Sequence, residues 1–411
     1  MRNKRSAPRR AQRFPIGIIV FSLLGIYTIT MLFWPMQAIT ATATPTKETN
    51  AGAAPAIQWP LYGQSAVGTT EYGVLSTSGE QTSVPMASIT KVVTALTVLE
   101  AKPLAAGQPG PTITFTAEDA SRYNQYFMAG GSIARADPGM QLTQYQVMQG
   151  MLVSSANNYA DSLAIWAYGS MENYLTAANV YLKKHGLTNI TVADASGFSP
   201  ESKSNATNLV KLGTLAMTHP VIADIVSQQI ATLPGAGTLH TTNLLLMQNE
   251  VVGIKTGTTD EAGSCLLFAA KYTVGDTPVT IIGASLGGPN HTVLARDVKN
   301  ILASTKAGFH EVTLAKLGQS FASYKTPWGI EANAVTNKNT KVVMWPGMQI
   351  SQRIQVSNLH PNNRGIEQKV GTVAFKAGNQ TYESALVLNR PLEKPSWLWR
   401  LTHPQKVIKR Y

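Results

Sequence analysis

The 411-residue sequence predicts an α+β body followed by a small all-β domain, both behind one apolar N-terminal helix. Three observations lead there. Helical periodicity fills the first part of residues 58–320, whereas β-prone runs gather toward its end. From about 325 the texture becomes a series of short β-prone runs. Before both, Pro15 to Trp34 is a run of twenty residues without a charge.

That run sits in the N-terminal segment, residues 1–37. At about 1.5 Å per residue it reaches roughly 30 Å, the thickness of a bilayer core. Residues 1–13 carry six basic side chains (Arg2, Lys4, Arg5, Arg9, Arg10, Arg13) and no acid. Cations on that side hold the N-terminus in the cytoplasm and export the rest. The segment reads as a single-pass anchor, or as a signal peptide cleaved near Ala41-Thr-Ala43. Either reading puts the bulk outside the cytoplasm, membrane-bound or secreted.

Residues 38–57 are rich in Ala, Thr and Pro and read as an extended tether. Within 58–320, Ser88 to Ala101 places Ile89, Val92, Leu96 and Leu99 on one helical stripe. Thr143 opens a second helix through Val147, Met148, Met151 and Leu152, and a third follows Ser155 through Ala160, Leu163 and Trp166. Val251–Thr259, Ser264–Tyr272 and Val279–Leu286 read as strands, so helices are expected to pack on a sheet. In 325–395, Lys341–Trp345, Ile350–Val356 and Val370–Phe375 are β-prone, and Ala377-Gly378-Asn379 marks a hairpin turn. The tail 396–411 joins Trp397 and Trp399 to Arg400, Lys406, Lys409 and Arg410. It reads as the last strand of the β domain with a basic end, or as a segment lying at a membrane interface.

Charge excludes one class. The net charge is +12, but nearly all of it lies in residues 1–13 and 390–411, leaving the body close to neutral. No basic face remains for nucleic acid. The seven histidines show no paired ligand spacing, so no metal is expected, and no cofactor either. The single cysteine, Cys265, lies in an apolar run and reads as a buried strand thiol.

Three short motifs carry the chemistry: Ser88-Ile-Thr-Lys91, Ser155-Ala-Asn157 and Lys255-Thr-Gly257. Ser88 begins its helix, where free backbone N–H groups and the positive dipole end favour a developing oxyanion. Lys91, one turn on, reaches the same face. It acts as a base only when neutral, which burial and a neighbouring cation, Lys255, would bring about. An N-cap serine and a solvated lysine are the plain structural alternative. Ser155 could relay a proton to the leaving amine and Asn157 could orient Lys91 or the substrate amide, although both also suit a helix cap. On its strand, Lys255 shares a face with Gly257, which leaves room for a substrate backbone. Lys255, Thr256 and Thr258 could hold a carboxylate, and the Thr258 N–H could complete an oxyanion hole with that of Ser88. Together these describe serine acyl transfer without histidine.

In this order the motifs resemble those of the serine penicillin-recognising enzymes. The wider text is similar to the low-molecular-mass penicillin-binding D-alanyl-D-alanine carboxypeptidases. Pro85-Met-Ala-Ser-Ile-Thr-Lys91, Gly139 with Leu142-Thr143, and Asp194-Ala-Ser-Gly197 carry the likeness. So do Asn243-Leu-Leu245, Gly253-Ile-Lys-Thr-Gly257, Glu261-Ala-Gly263 and, in the β domain, Lys369-Val-Gly-Thr-Val373. The resemblance implies a β-lactamase/transpeptidase-like fold, an antiparallel sheet with helices plus a helical subdomain and the site between them. It implies removal of the terminal D-alanine from peptidoglycan pentapeptide stems through an acyl-Ser88, with β-lactams as inhibitors.

Some positions depart from the family. Asn158-Tyr159 stands where relatives carry Asp-Ala, and Asn208 where an Asp is usual. Arg296 is the nearest arginine to the strand, at the wrong spacing for a carboxylate ligand. An endopeptidase or transpeptidase on the same scaffold remains an alternative, since the motifs do not encode the acceptor. A class A β-lactamase would need Glu-x-x-Leu-Asn, and Glu201-Ser-Lys-Ser-Asn205 has Ser204 in place of the Leu.

Overall fold

The computed structural model describes residues 16–44, 49–50, 53, 55–361, 365–366, 368–378 and 380–408. The basic start, Pro15, the turn residue Asn379 and the terminal Lys409 and Arg410 lie outside them. Ile16–Phe33 forms one helix of 18 residues with a mean hydropathy of 2.3 and only 6% of its span buried. Phe21 and Ile16 are more than three-quarters exposed. A helix apolar on every side and left uncovered by protein suits lipid.

The body is organised by a five-stranded antiparallel sheet. Its order is Val251–Thr259, Gly263–Val274, Thr277–Gly288, Gln64–Thr69 and Gly73–Ser78. The three late strands appear where the sequence places them, and two N-terminal strands complete the sheet. Val251–Thr259 is an edge strand. On one face lies the helix Ala206–Thr218, whose Gly213 lets it approach closely: a Cβ there would sit 2.7 Å from Ile282. On the other, the helix His291–Gly308 buries Leu294, Val298 and Ile301 against Phe268 and Ile281.

A helical layer sits beside the sheet and shares its main core. The helix Thr90–Ala101 is buried through ten of its twelve residues and forms its axis. Gln144–Val153 starts, as expected, at Thr143, which with Gln146 forms a reciprocal capping box. Asn157–Tyr168 follows after a break at Ser154–Ala156.

The C-terminal part corrects three expectations. Its strands begin at His310–Ala315, immediately after the helix ending at Gly308, rather than near 325. The alternation His310-Glu-Val-Thr-Leu-Ala315 explains this, since Val312 and Leu314 pack on the β core. Second, the stretch 38–57 is not only a tether: Ala41–Ala43 and Thr49–Asn50 form the two edges of a seven-stranded sheet. Ile39 exchanges backbone hydrogen bonds of 2.7 and 3.0 Å with Leu359 and is 6% exposed, so the chain leaving the apolar N-terminal helix is built into this domain. Third, the tail is not a strand. Ser396 caps a helix, Trp397–Thr402, and Pro404–Ile408 forms another. The Lys369–Ala377 and Gln380–Leu388 hairpin turns where expected, with Ala377 opposite Gln380.

Candidate active site

Ser88 lies in a short 3-10 turn, Ala87–Ile89, that leads into the Thr90–Ala101 helix. Ala87 has φ 47°, a left-handed conformation costing a non-glycine residue about 1–3 kcal/mol. Such a conformation persists because the packing around the turn fixes it. A Cβ at Gly257 would lie 2.8 Å from the Met86 carbonyl oxygen and 3.1 Å from the Ser88 nitrogen. Only glycine lets strand and nucleophile turn meet.

Lys91 is fully buried. Its Nζ lies 2.8 Å from Ser88 Oγ, 2.6 Å from Asn157 Oδ1 and 2.8 Å from the Ser196 carbonyl oxygen. The last two are acceptors only, so they take two N–H bonds whatever the protonation state. In the neutral amine the remaining direction is a lone pair, and it faces Ser88. Burial pulls the Lys91 pKa down to about 7, against opposing pulls from Asp194 and Asp161. Burial thus shifts Lys91 toward the neutral amine that the sequence reading asks of a general base. The first cause of that shift is burial rather than the neighbouring Lys255, with which Lys91 shares a mutual repulsion. Burial alone outweighs two carboxylates.

The two acceptors are themselves fixed. Asn157 is the first residue of its helix, and its backbone N–H donates to the Ser132 carbonyl at 2.8 Å. Ser196 sits in a loop gathered around Asp194, which accepts from the Gly197 and Phe198 N–H groups at 3.0 and 2.8 Å and from the Ser202 hydroxyl at 2.6 Å. Gly197, at φ 75°, could carry no side chain, because a Cβ would fall 1.9 Å from the Ala87 carbonyl oxygen. Asp161 is pushed up to about 6 by burial, and its Oδ2 accepts from Tyr126 at 2.9 Å. Asp194, Asp161, Tyr126 and the Ser196 carbonyl escaped the motif reading. Only the Asp194-Ala-Ser-Gly197 string hinted at them.

Ser155 is 4% exposed and left-handed at φ 65°, at the break between two helices. Among the described residues, no hydrogen bond joins its hydroxyl to Lys91 or Lys255. The departures nearby pack without loss. Asn158 accepts from the Ala134 N–H at 3.1 Å and donates to the Ala134 carbonyl at 2.8 Å, and the Tyr159 hydroxyl donates to the Arg135 carbonyl at 2.7 Å.

Lys255 is 1% exposed and donates to the Thr256 carbonyl at 3.0 Å. Burial, then repulsion from Lys91, holds its pKa well below the usual lysine range. An arriving carboxylate would reverse that by favouring the charged form. The Thr256 hydroxyl bonds Thr242, so alternation turns it away from Lys255. The Thr258 hydroxyl donates to the Gly257 carbonyl at 2.7 Å and lies 2.8 Å from His291 Nε2. His291, whose pKa is lowered by burial and by Lys255, therefore lies beside Lys255 and Thr258. No sequence signal marked it. Arg296 points elsewhere, paired with Asp297 and 68% exposed. Glu201, the lactamase candidate, pairs with Lys203 at the surface.

The chain resembles known proteins over most of its length. The family model of peptidase S11, described as D-alanyl-D-alanine carboxypeptidase, matches residues 66–285. The D-alanyl-D-alanine carboxypeptidase DacA of Escherichia coli strain K12 is 27% identical over 308 residues, covering 72% of this chain and 74% of its own. A D-alanyl-D-alanine endopeptidase of Pseudomonas aeruginosa is 28% identical over 207 residues, 48% of this chain and 63% of its own. Penicillin binding protein 5 from Haemophilus influenzae superposes with a TM-score of 0.58 at 19% identity, covering 86% of this chain and all of that one.

Proposed function

The chain belongs to the peptidase S11 family of D-alanyl-D-alanine carboxypeptidases, and on that premise we propose a role for each group in the cleft. Ser88 Oγ attacks the carbonyl carbon between the two terminal D-alanines of a peptidoglycan stem while Lys91 Nζ takes its proton. The backbone N–H groups of Ser88 and Thr258 hold the oxyanion. As the C–N bond breaks, the proton passes from Lys91 through Ser155 to the leaving D-alanine amine. Water, deprotonated by the same lysine, then cleaves the acyl ester and regenerates Ser88.

At the other end of the substrate, Lys255 and the Thr258 hydroxyl receive the terminal carboxylate, with His291 beside them. Asn157 orients Lys91. Gly257 keeps the edge strand clear for the peptide backbone to lie alongside. β-Lactams enter as mimics of the same dipeptide and acylate Ser88. The helix Ile16–Phe33 is read as a retained anchor that holds the body at the extracytoplasmic membrane surface.

One observation carries this reading: a fully buried lysine whose amine touches Ser88, with its other directions closed by two fixed acceptors. The test is covalent labelling by a fluorescent penicillin, expected in the native chain and lost in Ser88→Ala. Persistent labelling of that variant overturns the assignment. Product analysis then separates the acceptors. Free D-alanine from a pentapeptide stem supports carboxypeptidase action, whereas cleavage of cross-linked stems alone favours the endopeptidase reading that the Pseudomonas relative suggests.

A further inference from the structure

The C-terminal helices and the membrane helix meet far from the active site, and the junction has features of its own. The Tyr27 hydroxyl, inside the membrane helix, donates to the Leu401 carbonyl at 2.6 Å. Arg400 donates to the Leu32 carbonyl in the last turn of the helix Ile16–Phe33 at 2.6 Å and to the Trp34 carbonyl just beyond it. A cation there also suits the negative end of the helix dipole. Met31 is only 3% exposed. A signal segment discarded after export has no use for such contacts with the far end of the mature chain.

Aromatic side chains cluster at this level. Trp328 packs edge-on to Trp399 at 5.6 Å and donates its N–H to the Glu393 carbonyl at 3.2 Å, while Trp399 stacks on His403 at 4.9 Å. Trp397 and Leu398 are 66% and 56% exposed, on the helix that abuts the membrane span. Tryptophans at the end of a span mark the lipid headgroup layer.

Between these elements lies a cavity of about 320 Å³, lined by Met36 and Ile39 of the chain leaving the span, Lys325, Trp328, Lys406 and Val407. Its walls are largely apolar and its two charges are both positive. Lys325 shares its ammonium with Glu331 at 2.5 Å, a pair of mostly exposed groups that holds weakly. No carboxylate among the described residues pairs with Lys406.

We propose that the C-terminal helices clamp the retained anchor and that the adjoining cavity seats an anionic phospholipid from the extracytoplasmic leaflet. The lipid phosphate lies between Lys325 and Lys406, and the glycerol and upper acyl carbons lie against Met36, Trp328 and Val407. The location favours a lipid over a free anion, because the lining begins three residues beyond the end of the span at Phe33. Seating fixes the β domain, and through it the catalytic body, at one height and tilt on the membrane.

Two measurements on the full chain test this. With the photocrosslinker p-benzoylphenylalanine installed at Tyr27, irradiation of membranes from producing cells should join the anchor to residues near Leu401. A mature N-terminus beyond Ala43, or crosslinks to lipid alone, overturns the clamp. For the seat, the purified chain in detergent is mixed with dioctanoyl phosphatidylglycerol, dioctanoyl phosphatidylcholine or inorganic phosphate, and retention is read by native mass spectrometry. Phosphatidylglycerol should be retained, and at least about tenfold less in the double variant Lys325→Gln/Lys406→Gln. That variant should still label with penicillin, showing that it folds. Equal retention of both lipids, equal retention by the variant, or displacement by inorganic phosphate overturns the seat.

Discussion

The catalytic cleft and the C-terminal β part treat their lysines in opposite ways. In the cleft, Lys91 and Lys255 are buried to 1% exposure or less, and neither has a salt-bridge partner among the described residues. In the C-terminal β part, Lys325 on the seven-stranded sheet and Lys341 on a separate two-stranded one stand in solvent, paired with Glu331 and Glu311. Burying an amine penalises its charged form, so the cleft has lysines that can be neutral near physiological pH, whereas the β part keeps its lysines charged. The difference locates the chemistry without reference to any motif. A lysine that is costly to bury and tied to carbonyl oxygens rather than carboxylates marks a candidate functional site.

The sharpest way to break the contrast is to remove the buried base. Lys91→Ala should lower the rate of penicillin acylation by about 10²–10⁴-fold, the usual worth of a positioned general base. Stopped-flow labelling measures it, and a variant acylating within a factor of a few of the native rate would remove Lys91 from the mechanism. The same lysine sets a pH dependence. Below about 7 it is protonated and cannot accept from Ser88, so acylation should rise with pH through that value and then level off. A profile flat from pH 5 to 9 contradicts the assignment.

Gly257→Ala tests the close approach that brings strand to nucleophile. The new methyl would press on the Met86 carbonyl and the Ser88 nitrogen. Displacing the turn should cost acylation roughly tenfold to a hundredfold, and the melting temperature should fall as well, because the methyl meets backbone rather than a side chain that can swing away. Native acylation in this variant would mean that the turn has slack.

A smaller effect is expected at His291. Its imidazole is held toward neutrality, yet it faces the group that should receive a carboxylate. His291→Ala should raise KM for the pentapeptide a few-fold with kcat nearly unchanged, and the increase should be greatest at acidic pH, where the native ring can charge. A loss confined to kcat would instead place His291 in the chemical step. Smallest of all, Lys341→Gln in the C-terminal β part should leave both activity and melting temperature unchanged, as expected for an exposed pair.

Much of the cleft was legible beforehand because its chemistry lies in short local strings. Ser88 and Lys91 are one turn apart, so the helix alone brings them together, and the capping box at Thr143 sets where the next helix begins. What stayed hidden depends on contacts between distant segments. Asp194 acts by folding a loop whose carbonyl reaches Lys91 across 105 positions, and His291 meets Thr258 across 33. The stretch 38–57 misled for a related reason. Two- and three-residue edge strands carry too few side chains to show a period, and they form only because a sheet edge is already there to pair with.

Residue order by itself determined the apolar N-terminal helix, the main strands, the serine with its lysine, and the glycine that leaves the edge strand bare. These follow from local periodicity, from hydropathy and from the reach of a side chain over one helical turn. Only the tertiary structure decided that Lys91 is buried, that two carbonyl oxygens aim its lone pair at Ser88, that His291 meets Thr258, and that the tail contacts the N-terminal helix. Dielectric surroundings and hydrogen-bond direction are properties of packed space, and no string of residues carries them until the chain has closed on itself.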